Sequence, residues 1–183
     1  MMFKTKLLST ALVVGLSAAS MNVLAAPSSE VTLQGILTDT TCNVTINGGK
    51  SVLNVGVFNT TVSGSEVGAS FTAANTITKQ QVDLPVTLTN CAKGQAGNLI
   101  IQGITSIGNN EQNVFVSNDA QTVGFIIQDA GGKDIVNGKG VPSPLGADDT
   151  TGQYTFKVGM ATTNTTPKAD AYSAPIVVAF LSN

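Results

Sequence analysis

The chain has 183 residues, 9 of them Lys or Arg and 11 Asp or Glu, with two Cys and neither His nor Trp. That length holds one ordinary domain with a real core. All the basic residues are lysines, so the guanidinium that usually reads phosphates and base edges is missing, and a net charge of -2 offers nucleic acid no footprint. Without His there is no Ser-His or Cys-His nucleophile pair and no imidazole metal ligand. Charged residues make up only 11% while the mean hydropathy is +0.23. A soluble domain so poor in charge is expected to hide apolar surface against a partner.

The first segment reads as a signal peptide, residues 1–25, rather than as part of the fold. Lys4 and Lys6 form a positive start, Leu7 to Ala19 is an apolar run, and "NVLAA" ends in small residues suited to cleavage after Ala25. The run is shorter than the roughly 20 apolar residues of a membrane span. No later segment reads as a span either, so the mature chain is expected to carry no integral membrane segment.

Export gives Cys42 and Cys91 a meaning. They lack CxxC spacing, and two thiols without His do not complete an ordinary zinc shell. A structural disulfide is the reading for an exported chain, with two buried free thiols as the alternative.

From Val31 onward the period is two almost everywhere. Val31, Leu33, Gly35 and Leu37 alternate with Thr32, Gln34, Ile36 and Thr38. Val82, Leu84, Val86 and Leu88 alternate with Asp83, Pro85, Thr87 and Thr89. "NLIIQGI", "VGFIIQD", "YTFKVGM" and "PIVVAFL" are short runs rich in branched and aromatic residues, which predict strands. Between them "NGG", "SGS", "IGNN", "DAGGKD" and "VPSPLGADD" consist of turn formers. One stretch near Ala69 to Ala74 leaves room for a helical turn. Many short strands in one domain predict an all-β sandwich.

The two ends stand out. Residues 28–38 alternate cleanly, yet no tight hairpin ties them to a following strand. The closing "SAPIVVAFLSN" is apolar on both faces and would be a long, unprotected edge, which proteins ordinarily blunt. A free alternating strand and an unpaired apolar edge in one chain suggest that copies complete each other by strand addition. Such a contact is head-to-tail and propagates as a filament.

These residues resemble the pilins of chaperone–usher fimbriae, particularly the type 1 group. The likeness covers "VTLQGILTDTTCNV", with Gly35 seven residues before Cys42, and "LPVTLTNC", with Leu88 three before Cys91. It continues through "TVGFIIQDAGGKDIVNG", "YTFKVGMATT" and "APIVVAF". The resemblance implies an incomplete immunoglobulin-like sandwich over residues 39–183, with six strands and the seventh supplied by a neighbouring subunit. It implies a donor-strand extension at 26–38 carrying Val31, Leu33, Gly35 and Leu37. Ile176, Val178 and Phe180 would line the acceptor groove on the last strand. The implied partners are copies of itself or sister pilins, a periplasmic chaperone and an outer-membrane usher. The implied location is a fimbria on the bacterial cell surface, reached through the periplasm.

Other signals are weaker. Asp129, Gly131 and Asp134 lack full calcium-loop spacing, so a hairpin turn is expected there. Asp148 and Asp149 sit among turn formers and read as a solvated loop. Asn43, Asn59 and Asn164 begin N-x-Thr sequons, which matter only in a glycosylating host. No acid–base constellation or nucleophile elbow points to an enzyme, and no cofactor is expected. The expected role is a structural subunit of an adhesive surface fibre. The alternative is a minor or tip subunit whose loops bind a host receptor.

Overall fold

The computed structural model describes residues 42–60 and 71–182. Eight strands appear among them: β1 Asn43–Ile46, β2 Val82–Thr89, β3 Gly97–Thr105, β4 Phe115–Val116, β5 Val123–Gln128, β6 Gly140–Pro142, β7 Gly152–Thr162 and β8 Ile176–Ser182. The one helical element among the described residues is a 3-10 turn at Asn47–Gly49. Among the described residues no helix is long and apolar enough to cross a membrane.

The strands follow the sequence periodicity because one face of each packs inward. In β2, Leu84, Val86 and Leu88 are buried while Asp83 and Pro85 are exposed. β2 lies between β1 and β7, and β7 pairs onward with β5. β3 joins this layer to a second one. Its last residues pair with β4, which pairs with β5, while its first part lies between β6 and β8. Leu84, Val86 and Leu88 pack between the layers with Leu99, Ile101, Phe115, Phe156, Val178 and Phe180. Each such side chain removed from water stabilises the fold by about 1.5–3 kcal/mol.

The fold is the all-β sandwich that the alternation predicts. Six strands of four residues or more carry it, and β4 and β6, with two and three residues, are additional. β6 falls inside a run that reads as turn: Gly140, Val141 and Pro142 lie along β3, with Val141 buried. Flanking Gly and Pro disguise it, and Pro is tolerated there because β6 is an edge. The described part of the stretch near Ala69 to Ala74 is turn and bend, not helix. Asn75 and Thr78 donate backbone hydrogen bonds to Thr162 and Met160, so this segment runs along the edge of β7 beyond Val158, and Ile77 packs with Ala161. Gly159 permits the approach, since a Cβ there would lie 2.6 Å from Ile77.

One end of the sandwich carries the Cys42–Cys91 disulfide, which staples the start of β1 beyond the end of β2. Asn43 pairs with Thr89 here and Gly97 with Ser182, while Cys91 donates its N–H to the Thr150 carbonyl. The loop from Ser143 to Thr150 therefore belongs to this end. The opposite end holds Ile46, at the close of β1, and Ile176, at the start of β8.

Candidate functional site

Among the described residues β8 pairs only with β3. The direction of its backbone groups follows from β3. Ile101 donates to Lys139 and accepts from Gly138, and Gly97 accepts from Ser143, so both face β6. Antiparallel alternation then turns Asn98, Ile100 and Gln102 towards β8, where they meet Leu181, Ala179 and Val177. Ile176, Val178 and Phe180 are left with N–H and C=O groups directed to the other side of β8, where no described residue pairs with them. Their side chains point into the sandwich. Val178 and Phe180 are 8% and 3% exposed, against 61% for Val177.

A cleft of about 640 Å³ opens beside the first residue of β8. Its floor is the upper core, with Leu84, Val55, Phe115, Ile127 and Val158. One wall is the segment from Asn47 to Leu53, and the other runs from Tyr172 to Ile176. A second cavity of about 450 Å³ shares Val52, Leu53, Val55, Phe125 and Tyr172 with the first, and reaches Phe58, Phe71 and Met160. The two form a continuous apolar trough. Among the described residues Lys50 is the one charged residue lining the first cavity, and Lys168 and Asp170 line the second.

Local chemistry shapes the walls. Asn47, Gly48 and Gly49 all take positive φ (49°, 60° and 81°), which reverses the chain directly after β1. Asn and Gly tolerate that region best. The Asn47 amide then holds the wall by donating to the carbonyls of Lys50 (3.2 Å) and Val52 (2.8 Å). On the other side Tyr172 donates its hydroxyl proton to the Lys168 carbonyl at 2.7 Å. Desolvation pushes the Tyr172 phenol above its ordinary pKa, and the Asp170 charge adds to the shift. Val52 and Val57, at 75% and 96% exposure, stand open on the rim.

Of the acceptor residues implied by the resemblance, Ile176 lines the first cavity, whereas Val178 and Phe180 belong to the core and reach the open edge through their backbone. The donor residues Val31, Leu33, Gly35 and Leu37 lie outside the described residues, as do segments 1–25 and 26–38. Cys42 and Cys91 form a disulfide, closing the alternative of free thiols. The Asp129 carboxylate caps a turn by accepting the N–H groups of Gly131 and Lys133. Asp149 likewise accepts from Gly146, in an exposed loop that includes Asp148. Sequence reasoning marked Asn47–Gly49 as a turn but missed its part in the wall, and it missed Tyr172 altogether.

No protein-family model matches the sequence, and no curated protein matches it. Solved structures do. A subunit in the structure of a chaperone–usher pilus, determined to explain rod uncoiling, superposes with a TM-score of 0.56 at 18% identity. That match covers 86% of this chain and 96% of the other. The P pilus rod subunit PapA gives 0.56 at 17% identity, over 78% of this chain and 99% of its own. The chain has the fold of a chaperone–usher pilus subunit. Within that pilin fold, the side of β8 turned away from β3 has no strand paired to it among the described residues, and it runs down to the trough at Ile176.

Proposed function

We propose that this chain is a non-catalytic structural subunit of a chaperone–usher fimbria, assembled by strand donation between copies. The observation that carries the reading is β8, whose backbone groups at Ile176, Val178 and Phe180 face away from β3 beside an apolar trough. A buried edge of that kind costs free energy until another chain pairs with it. The extension at 26–38 has the right length to pair there, since Val31 to Leu37 spans seven residues, as β8 does. Every strand pairing among the described residues is antiparallel. A donor that keeps this pattern runs from the Ser182 end to the Ile176 end, bringing Leu37 to the trough. Gly35 lets its backbone come close to the floor.

In this reading residues 1–25 direct export and are removed. A periplasmic chaperone covers the open edge, and an outer-membrane usher exchanges it for the next extension. The product is a surface fibre that serves attachment. The test is deletion of residues 26–38 in cells that carry the assembly machinery, with electron microscopy of sheared surface material. The truncated chain should accumulate as a chaperone-bound monomer, and filaments built from it would overturn the proposal.

A further inference from the structure

We propose a second contact between successive copies, in which the disulfide end of one sandwich seats on the trough rim of the next. It rests on the strand-donation reading above. Only Thr38 to Thr41 separate Leu37 from Cys42, and Cys42 is fixed to its own domain by the disulfide. Five steps of extended chain reach at most about 18 Å. With Leu37 seated at the trough of one copy, the disulfide end of the donor copy is tethered within that reach of the trough. Two folded bodies so close must either pack or trap half-dehydrated surface between them.

The surfaces suit packing. The rim offers Val52 and Val57, both open to solvent, with Lys50 at the first cavity and Lys168 and Asp170 at the second, so positive charge prevails there among the described residues. Among the described residues Lys50 has no carboxylate partner. The disulfide end offers the exposed loop with Asp148 and Asp149, tied to Cys91 through the Thr150 carbonyl. Lys93 is the lysine of the neighbouring turn, so acidic charge prevails there. The contact thus sets two carboxylates of the donor copy against Lys50 of the acceptor, around an apolar patch. Steering by opposite charge also favours the head-to-tail approach that strand exchange needs.

The test uses fibres of the full chain carrying Lys50→Cys and Asp148→Cys together. Oxidised fibres, denatured and run without reductant, should give a ladder of covalent multimers. Fibres carrying Lys157→Cys with Asp148→Cys should give none, because Lys157 lies on the flank of the sheet. Normal fibres without a ladder in the first pair overturn the seating and leave strand donation intact. Fibres that form without residues 26–38 overturn strand donation itself. Should the added cysteines divert the native disulfide, charge reversal decides. Lys50→Asp slows fibre growth at low salt by about two- to fivefold, the range of an exposed ion pair. Adding Asp148→Lys restores it, and a double variant no faster than the single one overturns the contact.

Discussion

The side-chain amide of Asn47 donates a hydrogen bond to the main-chain carbonyl of Val52 at 2.8 Å. This bond and its companion to Lys50 are what turn a bare extended segment into a wall. Asn47→Asp removes both donors and sets a carboxylate against two carbonyl oxygens. The domain should lose about 1 kcal/mol, since an exposed hydrogen bond contributes little more. Urea unfolding of the chain lacking residues 26–38 measures it. An unchanged midpoint with unchanged fibre yield would show that the wall stands without the clamp.

Phe180 and Val177 separate the two jobs of β8. Phe180 is 3% exposed and sits in the core, so Phe180→Ala should cost about 3–5 kcal/mol. Val177 faces outward at 61% exposure, and Val177→Thr should stay within about 0.5 kcal/mol. Thermal unfolding of both variants checks the assignment. Equal losses would mean that the strand is shifted by one residue.

How far the sequence reveals this architecture depends on what covers each strand. Leu84, Val86 and Leu88 alternate with exposed neighbours, so β2 is legible, including the tolerance of Pro85. Among the described residues only β7 pairs with β2 from Val82 to Pro85, and a missing N–H does little harm at such an edge. β5 reads as an unbroken apolar run because Ile127 faces the main core while Ile126 packs with Val114, Val116, Ala161 and Ile77 on the other face. β4 has two residues, Phe115 and Val116, both fully buried, and two residues carry no period. The trough is hidden for a different reason. Its wall depends on side-chain donors from Asn47 and on Tyr172 reaching Lys168, contacts that hydrophobic patterning does not encode.

The disulfide between Cys42 and Cys91 closes a loop across a sequence separation of 49. A cross-link of that span stabilises the folded domain by about 4 kcal/mol through the entropy of the unfolded chain. Cys42→Ser with Cys91→Ser should lower the urea midpoint accordingly. It should also reduce fibre yield, because β1 pairs only with β2 among the described residues and the staple holds the residue just before it. A double variant as stable as the parent would show that the staple adds nothing to the fold.

Tyr172 supplies a spectroscopic probe of trough occupancy. Burial and the Asp170 charge raise its pKa above 10.0, so the folded state keeps the phenolic proton after the unfolded chain has released it. That contribution is complete below pH 10 and is lost as pH rises through the folded value. In a Tyr154→Phe background, absorbance titration of the chain lacking residues 26–38 should give a midpoint above 10.0. Fibres should titrate higher still, because a donor strand in the trough desolvates the ring further. Identical midpoints in monomer and fibre would place the donor elsewhere.

The last prediction concerns register in the extension. If Val31, Leu33, Gly35 and Leu37 face the core along β8, with Leu37 at the trough, Gln34 faces away, and the two positions should respond in opposite ways to substitution. Gly35→Leu forces a side chain between donor and acceptor backbones, and overpacking of that kind costs about 1–3 kcal/mol or more. If residue 35 is donated to another copy, fibre assembly should slow sharply or stop while the folded monomer keeps its stability. Gln34→Ala shortens a solvent-facing side chain and should leave assembly almost unchanged. Fibre yield by electron microscopy, with and without boiling before gel analysis, reads both variants. Similar behaviour at the two positions would mean that the alternate residues Thr32, Gln34 and Ile36 face inward. That face is more polar, and it would leave the apolar trough against hydroxyl and amide groups with few partners. An apolar floor formed by Leu84, Phe115 and Val158 therefore favours the register in which Gly35 is the residue that cannot grow.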